Sequence, residues 1–509
     1  MKKLVLSAAV AFFATASAMA QTNVDNSTQS GSNQTGTTNQ TGSGNDNLLN
    51  QSGSNHTSTV DQLGDNNDAI TSQTNSGSQS TINQDGDDNW ASTTQTGTNQ
   101  ASTVMQDGDN NIASTTQSGN GNMSSVDQIG NGNNATTTQS GNNDSTLDQL
   151  GDSNMATISQ TGENTSMAIQ DGNGNDAIVT QGGVGNSSDL LQEGDGNMAT
   201  ITQQDGFRPL DNNYSIAEQD GDDNTLSVQQ LGTGGNTSDV LQRGDDNKTK
   251  IVQNSTNNAD VVQRGDRNEV DSYQFGTNNV EITQRGNDNY AKEYARGANN
   301  STTINQLFGN NNSANVRHTG PGAATTGNNN DVTVLQSWGN NNEAGIVQFG
   351  SDNTVAVTQS LGSRNFADVD QIGDGNTTTI STTLGSDNEA IAFQEGDSNT
   401  ATITQTMGGF NMANVSQMGD SNIASATQAM GNSNEIMIDQ TGNSNTGTAI
   451  QMLGSDNMIS LTQDGLMNTA TNMQMGSDHM ATISQTGGSH MHTGMQTGTG
   501  NTLTVTQSN

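Results

Sequence analysis

The chain has 509 residues, and only 28% of them are hydrophobic. Ordinary globular domains have an apolar content of about 45–50%, so this composition argues against that class. Its formal net charge of -39 makes it a poor electrostatic match for nucleic acid or an anionic membrane. It has no cysteine, which excludes disulfides, thiolate metal sites and a cysteine nucleophile. This composition is typical of a disordered chain unless a regular repeat organises it.

The first twenty residues have the pattern of a secretory signal peptide. Lys2 and Lys3 precede an apolar run over residues 4–13, and Ala18-Met19-Ala20 gives a small-x-small cleavage pattern before Gln21. A membrane-spanning helix needs about 20 apolar residues, and no later stretch approaches that length. The sequence therefore predicts a signal peptide over 1–20, export of the mature chain, and no membrane insertion.

From Gln29 onward a glutamine recurs every 11 residues, within the pattern Q-x-G-x-x-N-x-A-x-h-x-Q, where h is apolar or Thr. Residues 192–203 form a clean copy. From Gln336 the steps alternate between 12 and 11, with Thr382 in one glutamine position, so the true unit has two non-identical halves. About forty half-units of this kind predict a solenoid rather than an isolated motif.

Each half-unit contains a strand and a turn. Residues spaced by two share one face of a strand, and the Gly-Asp-Asn segments that follow are suited to a turn with positive φ. The prediction is an all-β solenoid of stacked strand–turn–strand coils, about 22–23 residues per coil, with interior Asn and Gln ladders. The predicted inward ladder residues are Gln192, Asn197, Ala199, Ile201, Gln203, Gln371, Asn376, Gln417, Asn422, Gln428, Asn434, Gln440, Asn501 and Gln507, and the turn glycines are Gly194, Gly373, Gly419 and Gly431.

The repeat count fails at two places, and each contains one of the two prolines, Pro209 and Pro321. Proline cannot donate a main-chain hydrogen bond to a strand ladder, so it is expected at breaks in the repeat. The predicted divisions are repeat block 29–203, insert 204–218, repeat block 219–317, loop 318–335 and repeat block 336–509.

These residues resemble the curlin repeat of bacterial curli fibres, with copies at 371–376 and 359–365. The resemblance implies a secreted amyloid subunit of the biofilm matrix, which supports adhesion and aggregation of cells at the surface of a Gram-negative bacterium. It also implies three partners: other copies of the chain, a curli-type nucleator and an outer-membrane secretion channel. By the same resemblance, residues 21–39 form an N-terminal secretion-targeting segment, and the inward Gln and Asn carry self-assembly.

The last predicted strand, residues 501–507, keeps its alternation and has no polar cap after it, which predicts an open edge for templating another copy. Two other classes remain open. One is a non-polymerising solenoid, either a surface adhesin or an ice-binding rod, and outward Thr200 and Thr202 are the residues that fit the ice-binding rod. A disordered matrix polymer is the third alternative.

Several smaller signals have plain explanations in the repeat. Arg-Gly-Asp occurs at 243–245 and 264–266, although the repeat produces Gly-Asp throughout. Arg243, Arg264 and Arg285 are 21 residues apart and are predicted to stack and to pair with turn acids such as Asp245. His479 and His490 are interpreted as substituted ladder residues. No catalytic, cofactor or metal site is predicted, and turns such as 86–89 are expected to hold counterions rather than specific calcium.

Acidic residues follow the turn glycines at regular intervals, as in Asp65, Asp87 and Asp109. Copies one coil apart would lie about 5 Å from each other, where like charges repel by roughly 1 kcal/mol in water. We therefore expect acid and salt to favour stacking, because protonation and screening both reduce this repulsion.

Overall fold

A computed structural model describes residues 22–205, 212–232, 234–319 and 327–509. The predicted signal peptide and both prolines lie outside these residues. The described part of the chain contains strands and turns and no helix, so it contains no helix that could cross a membrane.

The strands, numbered in chain order, form two layers. The first layer contains β1 (Val24–Ser32), β3 (Asp46–Ser54), β5 (Asp68–Ser76), β7 (Trp90–Thr98), β9 (Ile112–Asn120), β11 (Asn134–Gly141), β15 (Met198–Asp205), β17 (Thr225–Gly232), β19 (Lys248–Ser255), β23 (Ser313–His318), β25 (Glu343–Phe349), β27 (Phe366–Ile372), β29 (Glu389–Glu395), β31 (Met412–Met418), β33 (Glu435–Asn443), β35 (Met458–Leu466), β37 (Met480–Gly488) and β39 (Thr502–Ser508).

The second layer contains β2 (Thr35–Thr41), β4 (Thr57–Leu63), β6 (Gln79–Asp85), β8 (Ala101–Asp107), β10 (Met123–Ile129), β12 (Asp144–Leu150), β16 (Tyr214–Asp220), β18 (Thr237–Arg243), β20 (Asn258–Arg264), β24 (Asp331–Ser337), β26 (Thr354–Ser360), β28 (Thr377–Thr383), β30 (Thr400–Thr406), β32 (Ile423–Ala429), β34 (Thr446–Met452), β36 (Thr469–Ser477) and β38 (Met491–Thr499). Four long strands pass from the first layer into the second: β13 (Met155–Asp171), β14 (Asp176–Glu193), β21 (Glu269–Arg285) and β22 (Tyr290–Leu307).

Strands within a layer pair in parallel with the equivalent strand one coil further along the chain. In β31 and β33, for example, Gln417 lies opposite Gln440 and Ala413 opposite Ile436. One strand from each layer and two turns make a coil of roughly 22 residues, and about 21 coils stack into a rod. The predicted β-solenoid is therefore confirmed. At about 4.8 Å per coil the rod is roughly 100 Å long.

The interior is narrow and runs the length of the rod. In β30 the side chains of Ala401, Ile403 and Gln405 point inward, and those of the alternate threonines point outward. The opposing strand β31 contributes Ala413 and Val415 to the same core. Each coil thus needs only a few small or branched apolar side chains, because amide ladders fill the rest of the interior. This explains how a chain of low hydrophobicity folds.

Strands begin inside three segments that were predicted to differ from the regular repeats: the insert, the loop and the secretion-targeting segment. β16 lies mostly within the predicted insert 204–218 and pairs in register with residues 187–193 of β14. β24 begins within the predicted loop 318–335 and pairs with β22. β1 lies within the predicted secretion-targeting segment and stacks on β3 as part of the first described coil. Insertions of this kind lengthen a turn while the ladder register resumes after it.

The turn glycines fall into two classes. Gly194, Gly373 and Gly419 have φ of 104°, 118° and 107°, in the left-handed region that favours glycine. Gly431 was expected to have the same geometry, but the positive φ values in its turn belong to Met430 and Ser433. Glycine is needed at 431 for space, because a Cβ atom there would overlap the carbonyl oxygen of Gly454 in the next coil.

Candidate functional site

The glutamine ladder of the first layer is, over most of the rod, a row of buried amides. The Nε2 group of Gln394 donates to Oε1 of Gln417, and Gln417 donates in the same way to Gln440, each over 2.8 Å. The second N–H of Gln417 lies 3.1 Å from the main-chain oxygen of Thr400, on the opposite strand. Each such amide therefore uses both donors and its acceptor, so a fully buried polar group has no unmet hydrogen bond.

The second layer has a matching ladder. Gln405 donates to Gln428 over 3.0 Å, and Gln428 donates to Gln451 over 3.1 Å. In both layers the donor belongs to the coil nearer the N-terminus and the acceptor to the next coil. The glutamine ladders therefore have one direction along the rod.

The asparagine ladders run in the opposite direction. Asn422 donates from its main-chain N–H and from Nδ2 to Oδ1 of Asn399 in the preceding coil, over 3.0 and 3.1 Å. Its Nδ2 group also donates to the main-chain oxygen of Gly442, over 2.7 Å. Each asparagine thus ties the turn of the following coil to the start of a strand, which explains why the asparagine stands at the end of each turn.

The structure places twelve of the fourteen sequence-predicted ladder residues in the buried interior. Gln507 accepts a hydrogen bond from Gln485 over 2.7 Å, as an interior glutamine does, but it is partly exposed because it lies in the last described coil. Asn501 in that coil is exposed. The buried members are Gln192, Asn197, Ala199, Ile201, Gln203, Gln371, Asn376, Gln417, Asn422, Gln428, Asn434 and Gln440.

A family model described as the curlin associated repeat matches seven segments of the chain: 108–141, 130–162, 172–204, 327–360, 362–391, 384–406 and 431–465. The chain contains curlin repeats. No curated protein sequence matches it. The curlin-repeat family and the β-solenoid fold are structural rather than enzymatic, and together they fit a curli-like structural subunit.

The glutamine ladder of the first layer is interrupted in the middle of the rod. The glutamine position that follows Gln274 is filled by Ala295, then by His318, and the ladder resumes at Gln348. Nε2 of the buried His318 lies 2.7 Å from Oγ1 of Thr302. Burial lowers the pKa of His318 to about 4, and the neighbouring Gln348 side chain opposes this shift in part. The imidazole is therefore neutral at physiological pH.

The coil before that of His318 carries a buried acid that was not predicted from the sequence. Glu293 occupies an apolar position of the curlin repeat, between Ser272 and Val316, and it is 1% exposed. Its Oε2 atom accepts a hydrogen bond from Oγ of Ser272 over 2.8 Å. Burial raises the pKa of Glu293 to about 8, against the effect of that hydrogen bond. The only signal in the sequence was a Glu where the repeat has an apolar residue.

The turn acids are held by main-chain donors. The main-chain N–H of Asp65 donates to the Asp87 carboxylate over 2.7 Å, and Asp87 donates in the same way to Asp109 over 2.8 Å. Asp195 and Asp222 form an equivalent pair over 2.8 Å. From the sequence alone, only the repulsion between these carboxylates could be predicted. The donors found here stabilise the charged forms and offset that repulsion.

The stacked arginines lie where the repeat predicts, but their partners differ. Arg243 is opposite Arg264 in the strand register, and Arg264 is opposite Arg285. Arg243 pairs with Glu218 over 2.9 Å and lies 3.7 Å from Asp220, so the predicted pairing with turn acids such as Asp245 is wrong for this residue. A strand acid on the preceding coil lies closer because both side chains project from the same outer face.

The C-terminal histidines take ladder positions. The main-chain N–H of His479 donates to Oδ1 of Asn457 over 3.0 Å, and Nδ1 of His479 lies 3.2 Å from the main-chain nitrogen of Asn501. His479 thus continues an asparagine row. Among the described residues there is no group of three or more His, Asp or Glu side chains placed to hold a metal ion.

Proposed function

We propose that this protein is a secreted structural subunit that assembles end to end into curli-like amyloid fibres of a biofilm matrix. The observation that carries the proposal is the direction of the interior ladders, which is the same in the first described coils and in the last. Export through an outer-membrane channel and nucleation at the cell surface belong to the proposal through the family resemblance, as does support of cell adhesion and aggregation.

The ladders give the two ends complementary chemistry. In the first coils, Gln29 and Gln40 donate forward to the next coil, over 2.7 and 2.8 Å, which leaves their carbonyl oxygens facing a coil that would precede them. In the last described coil, the Nε2 groups of Gln496 and Gln507 are on the side from which Gln474 and Gln485 of the preceding coil donate forward. A second copy stacked in the same direction repeats the contact that already joins neighbouring coils.

Stacking in the opposite direction is less favourable. Two C-terminal ends would bring glutamine donors against glutamine donors, and two N-terminal ends would bring acceptors against acceptors. A buried amide left without its partner costs about 1–3 kcal/mol. We therefore expect fibres in which all subunits run in the same direction, with cross-β spacings of about 4.7 Å along the fibre and about 10 Å across it.

The test is seeded elongation with a matched pair of variants. Gln507→Glu removes the donor from the ladder and places a carboxylate against an acceptor. Thr506→Glu adds the same charge to the outer face of the same strand. We expect Gln507→Glu to slow elongation at least tenfold, since a lost charged or buried hydrogen bond is worth about 1.4 kcal/mol or more. Equal elongation rates for the two variants would contradict growth through this ladder.

The outer faces do not favour an ice-binding rod. The outward neighbours of Thr200 in the coils before and after it are Ile178 and Ser227. A row of threonines is therefore not maintained from coil to coil at this position, whereas the inward Gln and Asn rows are.

A further inference from the structure

One edge of the rod changes character at Phe308. This edge contains the turns that lead from the second layer back to the first. From Phe308 onward, seven successive turns on this edge contain one additional residue before the glycine, and that residue is always large and apolar. Between 40% and 61% of the surface of each of these side chains is exposed. We call this row the apolar ridge: Phe308, Trp338, Leu361, Leu384, Met407, Met430 and Leu453.

The ridge is a straight row with one residue per coil. The main-chain N–H of Leu384 donates to Ser360 in the preceding coil over 3.0 Å, and that of Met407 donates to Thr383 over 3.0 Å. The rings of Phe308 and Trp338 stack with their centroids 4.6 Å apart. Neighbouring ridge side chains therefore cover part of each other, and their outer halves form one continuous apolar surface.

The backbone conformation of the ridge is unusual for such residues. All seven have positive φ, from 53° at Met407 to 58° at Leu453. Bulky residues rarely adopt this left-handed conformation, which Gly, Asn and Asp adopt more readily. In the N-terminal part of the same edge, the equivalent positive φ belongs to the turn glycine itself, as in Gly64, Gly86 and Gly151. Strain and exposure repeated in seven successive turns point to a use that folding alone does not require.

The ridge is also a strip of low charge on a strongly acidic protein. Each ridge residue is preceded by Leu, Ser, Thr, Ala or Met, and the residue after the following glycine is Asn, Ser or Gly. The nearest charged pair in these turns, Arg364 and Asp387, is joined by an ion pair of 2.6 Å. On the opposite edge of the same coils, Asp374, Asp397 and Asp420 form an acidic row. A second copy can approach the ridge without facing such a row.

We propose that the apolar ridge is the contact surface for a second copy of this chain, so that two rods pair side by side, ridge to ridge. A large side chain that is half exposed presents about 100 Å². Seven of them give roughly 700 Å² per rod and about 1,400 Å² for the pair, within the 1,200–2,000 Å² range of stable interfaces. Both ridges have the same axial spacing, which lets the side chains of one rod lie between those of the other.

This contact goes beyond the proposed end-to-end growth, because it joins rods laterally and uses no residue of the terminal coils. Leu384 is the fourth of the seven ridge residues, so it meets its own counterpart whether the two rods run parallel or antiparallel. The chain has no native cysteine, which makes Leu384→Cys a clean probe. Ser398→Cys is the matched control, since Ser398 has a similar φ of 59° and is exposed on the opposite edge.

Under mild oxidation we expect Leu384→Cys to form disulfide-linked dimers and Ser398→Cys to stay mostly monomeric, in the soluble protein and in fibres. A mixture of Phe308→Cys and Leu453→Cys then reports the orientation, because only antiparallel rods would yield mixed dimers. Equal cross-linking of Leu384→Cys and Ser398→Cys would overturn the proposal.

A second variant tests the ridge without cysteine. In Leu361→Asn/Leu384→Asn/Met407→Asn the new residues suit the left-handed backbone, so the β-sheet circular dichroism spectrum should be retained. We expect wild-type rods to sediment as pairs and the triple variant to dissociate at least tenfold more readily. Wild-type rods that sediment singly would refute the proposal, and if they also bound phosphatidylcholine vesicles, the ridge would be a lipid-binding surface instead.

Failure of lateral pairing is distinguishable from failure of end-to-end growth. The Gln507→Glu variant is expected to stop elongating and yet to keep forming ridge-linked pairs. The triple ridge variant is expected to elongate from seeds into thinner, unpaired filaments. Each variant thus removes one contact and leaves the other measurable.

Discussion

Repair of a natural gap in the second-layer ladder gives a direct measure of what the ladder contributes. Thr382 occupies a glutamine position between Gln359 and Gln405. Its Oγ1 atom lies 3.4 Å from Oε1 of Gln405, at the long end of hydrogen-bond distances. The substitution Thr382→Gln would allow an amide to accept from Gln359 and to donate to Gln405, as amides do in the coils above and below.

The expected gain follows from these contacts. Two additional amide hydrogen bonds contribute about 1 kcal/mol each, and ordering the longer side chain costs about 1 kcal/mol. The net stabilisation is therefore about 1 kcal/mol. Coils of a solenoid open locally, so the stabilisation should slow local opening. We expect hydrogen exchange of the main-chain amides in β28 and β30 to be about fivefold slower in Thr382→Gln than in the wild type.

The assay is hydrogen exchange followed by mass spectrometry, with Thr379→Gln as the control. Thr379 lies on the exposed face of the same strand, and glutamine there gains no ladder partner. We expect no protection from the control. Faster exchange in Thr382→Gln, or equal exchange in the two variants, would show that the threonine position has closed up and that the ladder reasoning fails at this site.

Three further predictions test the interior and the turns. Gln417→Ala should destabilise its coil by about 3 kcal/mol, measured as faster amide exchange in β31, because it leaves buried amide partners unpaired and opens a cavity. Gly431→Ala should lower the melting temperature, since its Cβ would overlap the Gly454 carbonyl, whereas Gly174→Asn, in open space at φ 66°, should change it little. Burial raises the pKa of Glu293 from 4.5 to about 8, so the free energy of unfolding measured in urea should fall as pH rises through that interval. Glu293→Gln should remove most of this fall. A Gln variant with the same pH profile as the wild type would contradict the assignment.

The repeat made the interior predictable because strand alternation and equal spacing leave one register that buries every inward residue. Gln417 and Gln440 could be placed together from their spacing alone, and the structure pairs them. The start of β16 at Tyr214 could not be placed, since an inserted segment in a turn hides where the ladder resumes. The burial of His318 and Glu293 could not be foreseen. The repeat shows which position a residue occupies, but it does not show whether a small neighbour such as Ala295 leaves room for a larger side chain.

The apolar ridge was only half visible in the sequence. The alternating 11- and 12-residue steps revealed an extra residue in every second half-unit. Its left-handed conformation and its outward direction depend on the path of the turn, which the spacing of glutamines does not specify. Met430 shows the difference, because the sequence assigned the special conformation of that turn to the neighbouring Gly431.

The opposed directions of the Gln and Asn ladders have an electrical consequence. An amide group carries a dipole of about 3.5 D, and in an α-helix such dipoles add along the axis until the two ends hold opposite partial charges. In this rod the side-chain dipoles of the glutamine rows point one way, and those of the asparagine rows point the other way. They oppose each other within every coil, so these side chains add little net polarisation as the rod lengthens. A polymer built from such coils can grow without accumulating side-chain charge separation between its ends.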